Sequence, residues 1–143
     1  MTIISTKKYM NKKDLPKIIP VFPLSNFIIF PNTIVPLNIF EPRYIEMIDN
    51  CMKDNRIIGL IQPKKNGDLK KPDLYKIGCA GKITSFNETD DGRYLIIVNG
   101  ICRFKIINEQ KNNKLYRECC VQFDDYFEDL EIENKETNFS DLK

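Results

Sequence analysis

Short apolar segments of strand length, separated by turn residues, are the feature that most constrains the fold of this chain. Residues 75–86 form one such segment, and residues 89–92 (TDDG) follow it with a glycine that can adopt the positive φ of a tight hairpin turn. Asn99-Gly100 predicts a second turn of this kind. Such closely spaced hairpins favour a small, strongly curved sheet or a partial barrel. The strands joined by these turns are predicted at residues 75–86, 93–98, 101–108 and 115–124.

The first half of the chain predicts one principal helix among further strands. Pro42 suits a first helical turn, where its missing N–H costs no hydrogen bond. Apolar residues then recur at helical spacing up to residue 54: Tyr44, Ile45, Met47, Ile48, Cys51 and Met52. Strands are predicted at residues 18–24, 34–40 and 56–62, and residues 63–72 have the composition of a loop. We therefore expect a mainly β domain (α+β) with one main helix and about six strands.

The two ends of the chain differ from its middle. Residues 1–17 are polar and contain five lysines and a single aspartate, which predicts a flexible basic arm. Residues 128–143 are rich in glutamate and aspartate, and we expect an acidic linker or the start of a helical bundle there. The β domain itself should then extend over residues 18–127.

Residue usage argues against several classes of protein. The chain has five cysteines, with no C-x-x-C pair, and no histidine, so a zinc site of the common spacing is absent. An odd number of cysteines argues against a secreted disulfide framework. No apolar run approaches the roughly 20 residues of a membrane-spanning helix, and the first ten residues lack the apolar segment of a secretory signal. We expect a cytoplasmic protein with reduced thiols, without metal or other cofactor and without a membrane partner.

Several motifs in a fixed order resemble the amino-terminal, substrate-recognition domain of the Lon protease family. Residues 20–24 (PVFPL), 30–31 (FP), 35–37 (VPL) and 39–44 (IFEPRY) resemble its opening, and residues 75–83 (YKIGCAGKI), 91–94 (DGRY) and 98–104 (VNGICRF) resemble its later segments. The form of residues 41–44 resembles the short stand-alone bacterial relatives rather than the full protease. Asn38 departs from the pattern, since relatives often have an aromatic residue or histidine there. The resemblance implies a PUA-like, twisted β pseudo-barrel, usually followed by a helical bundle.

The resemblance also implies a non-catalytic role: recognition of unfolded or hydrophobic polypeptide segments, or service as an adaptor, in proteolysis-associated quality control. The chain has no G-x-x-x-x-G-K-[ST] phosphate loop, and without histidine it cannot form a Ser-His-Asp triad. Composition alone leaves a Ser–Lys dyad open, but Ser5, Ser25 and Ser140 fall in predicted arms and turns. We therefore expect no enzymatic activity from this chain.

A candidate peptide-binding surface follows from an apolar stretch and a charged helix start. The apolar residues 27–30 and Ile34 cannot all point inward, so some should remain on the surface; the alternative is that they pack against a helical bundle. Glu41 and Arg43 either line this surface or serve the fold, as a helix cap and an internal pair. The predicted site comprises Phe30, Pro31, Ile34, Phe40, Glu41, Arg43 and Tyr44.

The competing function is that of a PUA-like RNA-binding module. Lysines 64, 65, 70 and 71 surround a loop that could contact phosphates, although a solvated loop is the simpler interpretation. RNA binding normally combines basic residues with exposed stacking aromatics, and only Tyr75 lies close in sequence. We therefore expect an unfolded polypeptide or a protein partner rather than nucleic acid. The oligomeric state does not follow from the sequence.

Overall fold

A computed structural model describes residues 2–3, 15–25, 30–64, 71–126 and 128–130, with only the backbone of residues 2–3. Six strands and a two-residue strand combine with one α-helix in these ranges, which confirms the expected mainly β class. The elements are β1 (Thr2–Ile3), β2 (Ile18–Pro23), β3 (Ile34–Ile39), α1 (Pro42–Met52), β4 (Ile57–Ile61), β5 (Ile77–Glu88), β6 (Tyr94–Gln110) and β7 (Arg117–Gln122). A 3-10 turn (Asp124–Tyr126) and helical residues 128–130 follow.

The strands close into a ring, as the barrel expectation required. β5 pairs with β4, β4 with β2, β2 with β7 and β7 with β6, and β6 pairs back with β5. The β2–β4 pair is parallel and the other pairs of the ring are antiparallel. β1 adds to the outer edge of β5, and β3 adds to β6. Two short strands therefore extend a five-stranded barrel at its edges.

β6 runs without interruption through Asn99 and Gly100, so the hairpin turn predicted at this point is wrong. Its 17 residues replace the two strands expected at 93–98 and 101–108. Pairing with β5 continues across this region with a register shift, which leaves Ile101 as an extra residue of a bulge. Gly100 serves a different purpose, because a side chain there would collide with the carbonyl oxygen of Phe30. Close backbone approach, not a turn, accounts for this glycine.

β4 separates two hydrophobic cores, and all five of its residues are buried. Ile57 and Ile61 point into the barrel interior, where they join Phe104. Ile58 and Leu60 point to the opposite side, into the layer beneath α1. A strand covered on both faces has no need of polar residues, which explains why the IIGLI sequence lacks alternation.

α1 covers the outside of the barrel with one apolar stripe. It begins at Pro42, as predicted, and ends at Met52, two residues earlier than the expected limit. The buried residues are Tyr44, Met47, Ile48 and Cys51, and their spacing of three and four residues is that of a single helix face. Among the described residues, no helix combines the length and apolar character that crossing a membrane requires.

Both ends of the chain contribute described residues to the domain. The backbone of Thr2–Ile3 pairs with β5, and Leu15 is buried in the barrel interior. At the other end Asp129 and Leu130 are also buried. The remaining lysines of the predicted basic arm before Lys17, the residues 27–29 and the acidic residues 131–143 lie outside the described ranges. The predicted boundaries at residues 17 and 127 therefore stay predictions.

Candidate functional site

A tight turn at residues 30–33 presents Phe30 at the surface ahead of β3. The N–H of Thr33 donates a hydrogen bond to the carbonyl oxygen of Phe30 at 3.1 Å. Pro31 supplies the fixed φ of the second turn position, and Asn32 adopts a φ of 67° at the third, which asparagine tolerates better than most residues. The Pro-Asn pair therefore favours this turn, and the side chain of Phe30 is left 56% exposed.

Gly100 of β6 holds this turn against the sheet. Its carbonyl oxygen accepts a hydrogen bond from the N–H of Asn32 at 2.9 Å, and its own N–H donates to the carbonyl oxygen of Thr33 at 2.8 Å. A Cβ atom at position 100 would overlap the carbonyl oxygen of Phe30. The turn thus approaches β6 closely enough that a glycine is required there.

β3 presents alternate side chains on its outer side. Val35 and Ile39 are buried, whereas Ile34 is 63% exposed and Phe40, just past the strand, is 65% exposed. Ile34 and Phe40 are separated by about 20 Å, since a strand rises roughly 3.4 Å per residue. The outer side of β3 is therefore an exposed surface with apolar residues at both ends and the polar Asn38 between them. We call it the β3 face, and it consists of Phe30, Pro31, Ile34 and Phe40.

β3 also has one side without a strand partner among the described residues. It pairs with β6 on its other side. The hydrogen bond from Gly100 to Thr33 fixes which backbone groups face β6, namely those of residues 33, 35, 37 and 39. The nitrogen of Pro36 then faces the unpaired side, where a missing N–H removes no ladder hydrogen bond.

The start of α1 carries an ion pair that directly follows the β3 face in the sequence. Nε of Arg43 lies 3.4 Å from Oε2 of Glu41, and both side chains are partly exposed. The suggestion that Glu41 caps the helix with its side chain is wrong, because its carboxylate makes no capping hydrogen bond. The guanidinium of Arg43 lies over the ring of Tyr44, 4.7 Å from its centroid. This contact orients Arg43 while leaving it accessible to solvent.

Tyr44 lies beneath the surface rather than on it. Its side chain is nearly buried and packs against Phe22, with 4.4 Å between the ring centroids. Burial raises the pKa of its phenol. Tyr44 therefore anchors the first turn of α1 and supports Arg43 from below.

A groove of about 680 Å³ includes Arg43 and Tyr44 in its lining. The other walls come from β2, from residues 71–72, and from the adjoining ends of β6 and β7 with the connection between them. Leu115, an exposed apolar residue of that connection, also lines it. We call this the basic groove because of the cationic side chains along it, which are Arg43, Lys71, Lys111, Lys114 and Arg117.

Glu109 is the carboxylate residue in the lining of the basic groove, and its charge is already paired. Its Oε1 accepts a hydrogen bond from Nη2 of Arg117 at 2.6 Å, and its Oε2 lies 3.6 Å from Nζ of Lys71. The hydrogen bond from Arg117 is the main reason why the pKa of Glu109 is lowered. Arg117 also donates to the carbonyl oxygen of Pro72 at 2.6 Å. These bonds hold the two walls of the groove together.

A second groove, of about 640 Å³, includes Lys64, Tyr75 and Ile77. Nζ of Lys64 lies 5.9 Å from the centroid of the half-exposed Tyr75 ring. Lys65 and Lys70, the other lysines considered for phosphate contact, lie outside the described ranges, and Lys71 belongs to the basic groove. Within the described part of the chain, no three Cys, Asp or Glu side chains lie close enough together to hold a metal ion.

Comparison with known families identifies the family that has this β barrel with one covering helix. Residues 18–142 match the family described as the ATP-dependent protease La (LON) substrate-binding domain. The chain belongs to this family. The Lon protease of Desulfosudis oleivorans is 30% identical over 132 residues, which are 90% of this chain and 16% of that protein. Lon protease 2 of Myxococcus xanthus is 27% identical over 108 residues, which are 74% of this chain and 13% of that protein.

Solved structures share the fold of this Lon substrate-binding domain. A Lon N-terminal domain protein from Xanthomonas campestris has a TM-score of 0.60 at 21% identity, covering 74% of this chain and 59% of that one. The N-terminal domain of a Mycobacterium avium complex Lon protease has a TM-score of 0.56 at 19% identity, covering 75% and 54%. The chain spans less than a fifth of the length of the two Lon proteases compared above. The shared part is thus the substrate-binding domain, which the description of the family separates from the protease as a whole.

The predicted site residues of the Lon domain divide into two groups. Phe30, Pro31, Ile34 and Phe40 form the β3 face, whereas Arg43 and Tyr44 line the basic groove and Glu41 pairs with Arg43. Sequence reasoning missed the residues that the β6–β7 connection brings to the groove, and it considered Lys71 only as a possible phosphate contact. Their sequence signal, a polar turn at residues 109–114, does not distinguish a groove wall from an ordinary loop.

Proposed function

We propose that this domain recognises exposed hydrophobic segments of unfolded polypeptides and delivers them to proteolysis-associated quality control. The observation that carries the proposal is the β3 face, where three large apolar side chains remain more than half exposed. An exposed apolar surface of this kind is typical of interaction sites. Membership in a family described as substrate-binding supports the same conclusion.

Apolar burial supplies the affinity in this mechanism. Each apolar contact removes surface from water, which stabilises the complex by about 25 cal/mol per Å² of apolar surface buried. The β3 face is an exposed surface rather than a deep pocket, so the buried area is small. Binding should therefore be weak and broadly selective, as a reader of many unfolded segments requires. An extended client can in addition form backbone hydrogen bonds with the unpaired side of β3, which is a common mode of peptide recognition.

Glu41 and Arg43 supply the polar contacts beside this apolar surface. Both side chains are partly exposed, and their mutual contact is long for an ion pair at 3.4 Å. Surface pairs of this type contribute only about 0–1 kcal/mol to the stability of a fold. Either residue can therefore give up this contact for one with a client at little cost in free energy. Tyr44 acts indirectly, by holding Arg43 in place.

A titration with an unfolded model peptide, followed by NMR, tests the location of the site. We expect shift changes along the β3 face and at the start of α1. Phe40→Ala should weaken binding by about 1–3 kcal/mol, the usual cost of removing a hot-spot aromatic. The matched control is Ile107→Ala, an equally simple truncation of an exposed apolar residue on β6, which should leave affinity unchanged. Thermal unfolding verifies that both variants keep the fold.

Other outcomes of the same titration distinguish the alternatives. Changes confined to the groove of Lys64 and Tyr75 would move the site away from the β3 face and favour the RNA-binding module. RNA binding would also weaken steeply with added salt, unlike apolar contacts. If no peptide causes a response, the remaining explanation is that the domain is an adaptor that docks a folded partner.

The proposal includes that the chain has no catalytic activity of its own. Sequence motifs for ATP hydrolysis and for a histidine-dependent protease are lacking. We expect the purified protein neither to hydrolyse ATP nor to cleave casein. Turnover that follows the protein through successive purification steps would contradict this expectation.

A further inference from the structure

We propose that the basic groove binds an acidic segment of the client polypeptide, next to the hydrophobic segment held by the β3 face. This inference rests on the proposed function and names the clients more closely. They should carry aspartate and glutamate beside an apolar stretch. The groove, with a volume of about 680 Å³, is large enough for several side chains of a peptide.

The lining of the groove is predominantly cationic. Five cationic side chains line it, against the single carboxylate of Glu109. That carboxylate is engaged by Arg117 and Lys71, as described above. Glu118 pairs with Lys114 at 3.1 Å and Glu41 pairs with Arg43, so two more cations are partly neutralised. Glu46 adds a fourth carboxylate, which accepts a hydrogen bond from the N–H of Leu115 at 3.2 Å. Against the five cations these four carboxylates leave an excess of one positive charge, which attracts anionic groups.

Contacts within the domain fix the positions of two arginines of the groove. Arg117 is fixed by Glu109 and by the carbonyl oxygen of Pro72, while Arg43 is steadied over the ring of Tyr44. Two of the positive charges are thus held in place before a ligand arrives. Preorganised donors of this kind lose little freedom on binding carboxylates.

The aromatic residues of the groove favour a polypeptide over a nucleic acid. Tyr44 and Tyr116 are both nearly buried, with 8% and 4% of their surface exposed. Unpaired bases bind by stacking on exposed aromatic rings, and these two rings are not available for stacking. The exposed Leu115 instead offers an aliphatic contact between the cations. Mixed apolar and cationic surface suits a segment that contains both carboxylates and apolar side chains.

Arg43 connects the groove with the β3 face. It lines the groove, and it follows the exposed Phe40 by only three residues. One extended client can therefore reach both surfaces, with its apolar part at Phe40 and its acidic part along the groove. Such two-part recognition would make affinity depend on both hydrophobicity and charge.

Binding of two labelled peptides, measured by fluorescence anisotropy on the full chain, tests the inference. Both peptides contain the same apolar stretch, and they differ only in flanking glutamates, which the second replaces by glutamines. At low ionic strength the glutamate peptide should bind about tenfold more tightly, and the difference should shrink toward about 0.5 M salt because charges are screened. Lys71→Glu combined with Lys111→Glu should abolish the difference.

A second double variant separates local from overall charge. Lys53→Glu with Lys76→Glu changes the net charge equally at two exposed positions outside the groove, and it should keep the preference for the glutamate peptide. Thermal melting confirms that both double variants are folded. Equal binding of the two peptides, or a preference that survives the groove variant, would overturn the inference.

The remaining outcomes distinguish this inference from the proposed function. A single-stranded RNA oligonucleotide serves as competitor. If the RNA binds more tightly than the glutamate peptide, and if its binding depends on Lys71 and Lys111, the ligand of the groove is a nucleic acid rather than an acidic client. If both peptides bind equally and Phe40→Ala weakens both, the proposed function stands and the inference fails. If neither peptide binds, both fail.

Discussion

Asp129 accepts a two-point hydrogen bond from the guanidinium of Arg103, at 2.9 Å to Nη2 and 3.1 Å to Nε. The backbone N–H of Arg103 donates to the same carboxylate at 2.9 Å. The side chain of Asp129 is 3% exposed, that of Arg103 is 43% exposed, and the neighbouring Leu130 is buried in the barrel interior. The pair therefore attaches the helical residues after the barrel to β6, on the strand that also supports the Phe30 turn.

Arg103→Ala should destabilise the domain because it leaves a buried carboxylate without its guanidinium partner. We expect a loss of about 1–3 kcal/mol, below the value for a fully buried pair, since Arg103 is partly in water. Urea unfolding measures this change. Arg93→Ala, which breaks an exposed pair with Asp91, is the control and should cost much less. Equal losses for both variants would contradict a special role for Arg103.

Gly100→Ala should displace the Phe30 turn, because the added methyl group overlaps the carbonyl oxygen of Phe30. Overpacking of this kind typically costs about 1–3 kcal/mol. NMR shifts of residues 30–33 should change, and binding of an apolar peptide should weaken with them. Unchanged shifts in this turn, in a variant that folds normally, would count against the close approach described above.

Tyr94 should link stability to alkaline pH. Its hydroxyl donates to Oδ1 of Asp49 at 2.6 Å, and this hydrogen bond, with burial and charge repulsion, raises the pKa of Tyr94 to about 12. An unfolded tyrosine ionises near pH 10. The contribution to stability is therefore complete below about pH 10 and is lost as the pH rises to about 12. Tyr94→Phe should remove this part of the pH dependence, as measured by urea unfolding at several pH values. A variant with the same slope as the wild type would disprove the linkage.

Cys120 should be the first cysteine to react with a thiol reagent, because it is the least buried of the five free thiols. Burial raises the pKa of Cys51 and Cys79 to about 12 and that of Cys119 to about 11, which leaves them almost entirely protonated at neutral pH. We expect one fast equivalent with Ellman's reagent and release of the others only on unfolding. Cys120→Ser should eliminate the fast phase while the slow phase persists.

Local sequence signals determined the elements of the fold. Pro42 and the apolar residues that follow at helical spacing identified α1, and Gly92 identified the tight turn between β5 and β6. These predictions succeeded because helix starts and tight turns depend on residues that are neighbours in the chain. Asn99-Gly100 shows where the same reasoning fails. Its hairpin chemistry is real, but packing against a turn nearly 70 residues earlier in the chain decided its conformation.

Tertiary structure alone decided how the elements meet and which side chains remain accessible. The pairing of β2 with β7, the parallel pairing of β2 with β4 and the burial of Tyr44 on Phe22 join residues that no local pattern connects. The basic groove arises in the same way, because Arg43, Lys71 and Arg117 come from three separate parts of the chain. The sequence supplied the apolar residues of the β3 face. The exposure of these side chains depended on the pairing of β3 with β6. That pairing is a long-range contact, whose free energy is shared with the rest of the barrel.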